Sequence, residues 1–260
     1  MTRGLSGLAL KAFGANDYRL TVTGNQQITD RYIRLGFAAG GLLEHHPSHP
    51  TQWIRLWIPN GDKVQQRGYT LVDPDPAADR FDIEFALHPG PASDWATSAV
   101  AGDEIDASVM GSKFEIPTPP PAEYLLFGDP ASLPAINSLL DVVGDVPVRV
   151  WLECQHDSDR DLPLRSTPRT TVQWLDRGDK GQALRRAASE LSCGPGAYAW
   201  VACEFHTTRD IVKSLKAIHK IPRSAIKSQA YWKRPLAKEC RCPPASTVSG
   251  PRPSPQCSPS

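Results

Sequence analysis

A proline-rich run near the middle of the chain constrains its fold more than any other feature. Residues 116–122 read Ile-Pro-Thr-Pro-Pro-Pro-Ala. Prolines lack a backbone donor and fix φ, so neither a helix nor a strand continues through such a run. A chain of 260 residues is long enough to form two modest hydrophobic cores. We therefore predict a domain boundary here, between a first domain over residues 1–116 and a second over residues 117–236.

Before this boundary, short strands alternate with turn signals. Phe81, Ile83, Phe85 and Leu87 occupy every second position, which is typical of a half-buried strand. The candidate strands are 18–24, 30–37, 52–58, 68–72, 80–87 and 103–110. Several short strands with turns between them predict a small antiparallel all-β barrel, here with one helical interruption over residues 93–99.

After the boundary, strands alternate with helices, which is typical of a parallel, doubly wound sheet. The predicted strands are 124–127, 148–154, 170–175 and 198–203, and the predicted helices are 132–143, 182–191 and 208–220. Thr207 and Asp210 predict a capping box at the start of the last helix. The sequence thus predicts a β-barrel followed by an α/β Rossmann-like domain. Residues 237–260, rich in Pro and Ser, are predicted to be a disordered tail.

Charge and cysteine content exclude several classes of function. The net charge of +1 gives no electrostatic drive toward nucleic acid, and no apolar run approaches the length of a membrane span. Six scattered cysteines do not form a disulfide framework, and Cys240 and Cys242 lack the second pair that a zinc site requires. With no signal-peptide pattern at the start, we expect a cytoplasmic protein without a metal site or an integral membrane segment.

Two segments of the predicted barrel carry residues suited to a phosphorylated cofactor. Arg67-Gly68-Tyr69-Thr70 combines a cation for a phosphate, an aromatic ring for stacking and a hydroxyl for a ring nitrogen. Residues 87–96 run from a strand through Gly90 into a helix start, whose free amides form an anion site for a diphosphate. We expect Trp95 to pack beneath that site. Taken alone, the first segment is equally typical of an edge strand with an exposed Arg. His88 taken alone is equally typical of an ordinary polar side chain.

Together these segments resemble the ordered motifs of the siderophore-interacting flavoproteins. The resemblance covers about residues 1–235 and is carried by residues 67–70, 88–96, 125–136 and 229–234. Residues 2–5 and 110–114 are more specifically similar to the amino-terminal domain of mycobacterial siderophore-importing ABC transporters.

The resemblance implies a cofactor and its contacts. It implies an FAD-binding, ferredoxin-reductase-like barrel followed by an NAD(P)H domain. The FAD-binding residues that it implies in the barrel are Arg67, Tyr69, Thr70, Leu87, His88, Ala92, Ser93 and Trp95. It places NADPH or NADH over Gly128, Asp129 and Ser132, at the edge where open α/β sheets bind ligands. Two residues depart from the family pattern, since Pro130 replaces a frequent acid and Cys203 replaces a frequent glycine.

The function that the resemblance implies is an NAD(P)H-dependent, FAD-containing ferric-siderophore reductase that releases Fe(II) during iron acquisition. Its expected substrate is a ferric siderophore of the mycobactin or carboxymycobactin type, attracted by Lys233 and Arg234. Two alternatives stay open: a flavin- or siderophore-binding accessory module of an ABC importer, and a general flavin reductase. An importer partner would place the protein at the inner face of the cell membrane.

Overall fold

The structure, a computed structural model, describes residues 16–109, 113–178 and 180–234. The predicted tail at 237–260 and most of the segments 2–5 and 110–114 therefore lie outside the described residues. No helix within the described ranges is long and apolar enough to cross a membrane.

The first half of the chain folds into a seven-stranded antiparallel sheet with the strand order β4-β3-β7-β1-β2-β6-β5. The strands are β1 (Asn16–Thr29), β2 (Tyr32–Ala38), β3 (Trp53–Asn60), β4 (Lys63–Thr70), β5 (Val72–Asp75), β6 (Arg80–Ala86) and β7 (Glu104–Val109). Two helices interrupt them, α1 (Leu42–His45) and α2 (Pro91–Ser98). Alternate side chains such as Phe81, Ile83 and Phe85 fill one core, so the sheet is a half-barrel and the predicted β-barrel class is confirmed.

The main difference from the prediction lies in the hairpin of β3 and β4. The predicted strands 52–58 and 68–72 left residues 59–67 outside any strand, but strand pairing continues from Trp53–Thr70 to Asn60–Lys63, with the turn at Gly61. The long hairpin places residues 63–70 on one edge strand.

The second half forms a five-stranded parallel sheet with the order β10-β9-β8-β11-β12. Its strands are β8 (Glu123–Gly128), β9 (Val148–Cys154), β10 (Thr170–Asp176), β11 (Ala197–Val201) and β12 (Ile226–Ser228). The helices are α3 (Leu133–Leu140), α4 (Gln182–Glu190) and α5 (Phe205–Ala217). After β8 the chain adds β9 and β10 on one side of that strand and then β11 and β12 on the other side. The strand order therefore reverses between β8 and β11. A crevice at the carboxyl ends of such strands is where open α/β sheets bind ligands.

The start of α5 corrects the predicted capping box. The helix begins at Phe205, and the Glu204 carboxylate accepts hydrogen bonds from the backbone N–H groups of His206 (2.8 Å) and Thr207 (3.1 Å). Thr207 is therefore inside the first turn. A carboxylate is favoured there because it satisfies free N–H groups and complements the helix dipole.

Polar contacts join the two sheets. Arg165 donates two hydrogen bonds to the Asp73 carboxylate, with N–O distances of 2.5 and 2.6 Å. The backbone N–H of Thr51 donates to the Ser138 hydroxyl at 2.9 Å. Tyr32 of β2 is buried in the core of the second sheet. These contacts fix the half-barrel against the carboxyl side of β8.

Candidate functional site

The site begins on β4 of the half-barrel, which carries the Arg67–Thr70 motif. The Tyr69 ring packs on Phe85, with 4.4 Å between ring centroids, and burial raises the pKa of its hydroxyl. Arg67 is exposed, and its guanidinium donates to the Gln66 carbonyl (2.8 Å) and to Oε1 of Gln65 (2.9 Å). Thr70 is buried, with 4% of its surface exposed. The strand thus presents the exposed Arg67 guanidinium and the packed Tyr69 ring, and its Thr70 hydroxyl points inward.

The second motif lies at the start of α2. The backbone N–H of His88 donates to Oγ of Ser93 at 3.0 Å, which closes the turn ahead of the helix. Gly90 is the N-cap residue with φ 146, a conformation that favours glycine, and it makes no side-chain cap. Ala92 and Ser93 therefore keep first-turn N–H groups free of side-chain capping. Leu87 packs against the core of the half-barrel.

The structure brings these two motifs together across Phe85. The Trp95 ring lies 6.1 Å from Phe85, on which Tyr69 packs, and it stacks on Phe37 at 6.5 Å. Trp95, a residue of α2, thus packs against the half-barrel core. No sequence pattern indicates this contact, because Phe85 has the pattern of an ordinary core residue of β6.

The half-barrel offers hydrogen-bond donors that suit a flavin dinucleotide. The side-chain amide nitrogens of Gln65 and Gln66 are enclosed and have no hydrogen-bond partner within the part of the chain that the structure describes. Gln65 shares a face of β4 with Arg67, whereas Gln66 lies on the opposite face. Unsatisfied enclosed donors are uncommon in native proteins, and a bound acceptor or an ordered water satisfies them. A phosphorylated, nitrogen-rich cofactor supplies such acceptors.

The predicted nucleotide edge is a tight turn after β8. Gly128 packs so closely on α3 that an added Cβ would lie 2.4 Å from Oγ of Ser132 and 2.6 Å from Cδ1 of Ile136. The Ser132 hydroxyl accepts from the backbone N–H of Asp129 (2.9 Å) and donates to its carbonyl (3.0 Å). Ser132 therefore shapes the turn, and its hydroxyl is fully buried.

Asp129 is the charged group of this turn. It is 5% exposed, and burial raises the pKa of its carboxyl to about 6, while the bond from the Trp232 indole, the nearby Arg177 and backbone N–H groups act in the opposite direction. Oδ2 accepts from the Trp232 indole at 2.7 Å, and Oδ1 accepts from the backbone N–H of Ala131 at 3.1 Å. A carboxyl held in this way changes its protonation near neutral pH.

The last described residues form a strap, which we define as residues 229–234. The strap runs over the carboxyl ends of β11 and β8. The backbone N–H groups of Gln229 and Tyr231 donate to the carbonyls of Val201 and Cys203, both at 3.0 Å. Beyond them, the Trp232 carbonyl accepts from Phe205 at 2.9 Å. The strap therefore lies along the predicted nucleotide edge.

The strap also reaches the half-barrel. The Tyr231 hydroxyl lies 3.1 Å from Oγ1 of Thr70, and the Tyr32 hydroxyl lies 3.1 Å from the Pro130 carbonyl and 2.9 Å from the Glu84 carboxylate. We define the mouth as the junction between the two sheets where Thr70, Tyr231 and the turn at Pro130 meet. The motif at residues 229–234 includes Tyr231, but Tyr231 was not predicted as a binding residue.

Lys233 and Arg234 lie at the outer end of the strap. Lys233 Nζ lies 5.5 Å from the Phe205 ring centroid. Arg234 lines a cavity of about 640 Å³ together with Trp232 and Arg177, beside the ends of β9 and β10. Lys213 and Lys216, from the same basic stretch of sequence, line a different cavity on the outer face of α5. The structure thus separates the basic run into two surfaces.

Beneath the strap is a second buried acid that the sequence did not reveal. Glu153 at the end of β9 is 2% exposed, and burial raises the pKa of its carboxyl to about 7, although Arg177 nearby acts in the opposite direction. Arg177 Nε lies 3.5 Å from Glu153 Oε2, and its guanidinium lies 4.4 Å from the Trp232 ring. The strap therefore covers the carboxyls of Asp129 and Glu153 and the guanidinium of Arg177.

Cys203, which replaces a glycine of the family pattern, is fully buried. Its Sγ lies 3.3 Å from Oγ1 of Thr208, and burial raises the pKa of the thiol. The side chain packs with the core beneath β11. It therefore does not project into the mouth.

Two family models match this chain. Residues 14–111 match the model of the siderophore-interacting FAD-binding domain, and residues 121–235 match that of the siderophore-interacting protein. The mycobactin import ATP-binding/permease protein IrtA of Mycolicibacterium smegmatis is 37% identical over 239 residues, covering 89% of this chain and 28% of that protein. The chain thus spans well under half of that relative's length.

Solved structures support the fold class. A siderophore utilization protein from T. fusca superposes with a TM-score of 0.76 at 22% identity, over 86% of this chain and 95% of the other. A ferredoxin NADP+ reductase from Neisseria gonorrhoeae, solved with bound FAD and NADP, gives a TM-score of 0.58 at 12% identity, over 83% and 99% of the two chains. The predicted ferredoxin-reductase-like fold is confirmed.

Proposed function

The chain belongs to the siderophore-interacting protein family, and from this premise we propose that it is an FAD-dependent NAD(P)H oxidoreductase that reduces ferric siderophores. We assign FAD binding to residues 1–116 and NAD(P)H binding to residues 117–236. The observation that supports the proposal is that the strap contacts both the β4 motif, through Tyr231 and Thr70, and the Asp129 turn, through Trp232.

The half-barrel residues would hold the flavin. Arg67 offers a cation to the diphosphate, and the amides at Ala92 and Ser93 offer hydrogen-bond donors. Tyr69, supported by Phe85, supplies a fixed aromatic face. The cofactor, when bound, converts a two-electron donor into one-electron transfers.

The second domain would receive the nicotinamide nucleotide. The carboxyl ends of β8 and β11 flank the point where the strand order reverses, and this crevice is the ligand position in open α/β sheets. The turn from Gly128 to Ser132 lies there. Asp129 holds or releases a proton near neutral pH at its buried carboxyl, beneath the strap.

The substrate is a ferric chelate. One NAD(P)H supplies two electrons, so two Fe(III) centres become Fe(II) while NAD(P)+ and one proton are formed. Hard oxygen chelators bind the less charged Fe(II) far more weakly, and the iron is therefore released. Lys233 and Arg234 supply positive potential for an anionic chelate at the outer side of the mouth.

A second candidate is a flavin- and siderophore-binding module of an ABC importer at the inner face of the membrane. The observation that favours it is the 37% identity to a segment of a mycobactin import permease. Such a module would bind FAD and siderophore but turn over slowly with either nicotinamide.

The test is steady-state reduction of ferric carboxymycobactin with trapping of Fe(II), under anaerobic conditions with NADPH or NADH. The FAD-loaded chain is compared with free FAD at the same concentration. We expect a rate at least tenfold above that of free FAD. If the FAD-loaded chain and free FAD reduce the siderophore at equal rates while the chain still binds siderophore, the importer module is favoured. If the chain reduces ferricyanide and free flavin but not the siderophore, a general flavin reductase is indicated.

A further inference from the structure

The strap makes a side-chain contact with the half-barrel whose chemical role the proposed function leaves unassigned. The Tyr231 hydroxyl lies 3.1 Å from Oγ1 of Thr70, between residues 161 positions apart in the chain. The Tyr231 backbone N–H is fixed by the Cys203 carbonyl at 3.0 Å, and the ring packs edge-on to Trp200 at 6.3 Å. The phenol is therefore held in place at both ends.

Either hydroxyl can donate this bond, and the inference concerns the arrangement in which the Tyr231 phenol donates. Burial raises the pKa of Tyr231 to about 12, so the phenol keeps its proton at neutral pH. A buried phenolic O–H requires an acceptor, and Thr70 Oγ1 is within reach. If Thr70 accepts this bond, its own proton is left to donate to a second acceptor. A hydroxyl that accepts on one side and donates on the other is confined to one rotamer.

We propose that Tyr231 is a positioning residue for the bound flavin, which it affects by orienting the Thr70 hydroxyl. This inference rests on the proposed function together with the expectation from sequence that the Thr70 hydroxyl contacts a nitrogen of the flavin ring. A hydrogen bond donated to the flavin tunes its reduction potential, because the reduced ring carries more negative charge. The strap thereby links the nucleotide edge of the second domain to the electronic state of the cofactor in the first.

The experiment uses the full FAD-loaded chain and measures the flavin midpoint potential and visible spectrum. The variants are Tyr231→Phe, Thr70→Val, Thr70→Ser and the double variant Tyr231→Phe/Thr70→Val. Tyr198→Phe is the matched control, because Tyr198 is a half-buried tyrosine of the same domain that packs on Tyr124, away from Thr70. Both phenylalanine variants keep the ring and remove only a hydroxyl.

We expect Tyr231→Phe to lower the ratio of reduced to oxidised flavin about tenfold at a fixed potential, a shift of about 30 mV for a two-electron couple. Thr70→Val should give the same shift, and the double variant should add nothing, since both remove one hydrogen-bond chain. Thr70→Ser should retain the potential of the unmodified chain, and Tyr198→Phe should leave it unchanged.

Two results would overturn the inference. If Tyr231→Phe leaves the potential and spectrum as unchanged as Tyr198→Phe does, Tyr231 does not position the flavin. If the shifts of Tyr231→Phe and Thr70→Val simply add, the two residues act separately. A chain that binds no FAD would instead overturn the proposed function and this inference together.

Discussion

The indole N–H of Trp232 donates a hydrogen bond to Oδ2 of Asp129, with an N–O distance of 2.7 Å. Asp129 belongs to the turn after the central strand of the parallel sheet, and Trp232 belongs to the strap at the end of the described chain. Arg177 lies against the same indole ring, 4.4 Å from its centroid. The strap is therefore held at the carboxyl end of β8 by a buried carboxyl that changes protonation close to neutral pH.

The first prediction concerns the effect of Asp129 on stability as pH changes. Burial raises the pKa of Asp129 to about 6 in the folded chain, whereas a carboxyl in an unfolded chain titrates near 3.9. The folded state thus binds this proton more tightly, and ionisation of Asp129 lowers the free energy of unfolding as pH rises from about 4 to about 7. Asp129→Asn removes this dependence.

We therefore expect the unfolding free energy of the unmodified chain to fall, relative to Asp129→Asn, by up to about 3 kcal/mol over that pH range. Urea unfolding at pH 4, 5.5 and 7 measures the difference. The comparison is made in a Glu153→Gln background, because Asp129 raises the pKa of the Glu153 carboxyl and the titration of Glu153 would not cancel between the two chains. A difference that is constant with pH would show that Asp129 ionises in the folded chain as it does in the unfolded one.

The second prediction concerns the aromatic face on β4. Tyr69→Leu removes the ring that packs on Phe85, and it should weaken FAD binding about tenfold, because an aromatic stacking contact contributes about 0.5–1.5 kcal/mol. Tyr18→Leu is the control, since Tyr18 packs on the same core but contacts His45 and His46 instead. Fluorescence titration of the apoprotein with FAD measures both. Equal losses in the two variants would indicate a general weakening of the half-barrel.

The third prediction concerns the basic end of the strap. Replacing Lys233 and Arg234 by Gln should raise KM for an anionic ferric siderophore about three- to tenfold at low salt, and the effect should shrink at 0.5 M salt. The control replaces Lys213 and Lys216, which carry the same charge on α5 and line a different cavity. An equal rise in KM in the control would indicate attraction to overall charge rather than to the strap.

The fourth prediction concerns the close contact of β8 with α3. Gly128→Ala places a Cβ within 2.6 Å of both Ser132 Oγ and Ile136 Cδ1, and should destabilise the chain by about 1–3 kcal/mol. Gly194→Ala is the control, because an added Cβ meets nothing within 4 Å there and the residue does not have positive φ. Thermal unfolding measures both. A Gly128→Ala chain as stable as Gly194→Ala would show that the turn relaxes freely.

Local sequence patterns predicted most of the secondary structure. The strand at 148–154 was predicted with the bounds that the structure shows, because Val148, Val150 and Leu152 are buried at alternate positions. β12 (Ile226–Ser228) was missed because three residues carry no periodicity, and it forms only by pairing with β11. The start of α5 was misplaced because Glu204 caps it, whereas the sequence also offered Thr207 as a cap.

The candidate site was predictable as a set of motifs but not as an arrangement. Arg67, Tyr69 and Thr70 could be selected by their chemistry and by resemblance. The contact between Thr70 and Tyr231, and that between Asp129 and Trp232, join distant segments and depend on the domain packing. No local pattern contains that information. Glu153 was missed because an acid inside an apolar strand carries no sign of its partner, Arg177.

The central claim is that the mouth between the two sheets carries electrons from a nicotinamide nucleotide through bound FAD to a ferric chelate. The most direct test is a single-turnover experiment without oxygen. The purified chain is loaded with FAD, bleached with one equivalent of NADPH or NADH, and mixed with ferric carboxymycobactin. We predict that the flavin absorbance near 450 nm disappears and then returns as Fe(II) forms in a ratio of about two per FAD, as the electron count requires. A chain that remains colourless after loading, or a bound flavin that neither nucleotide bleaches, would contradict the claim.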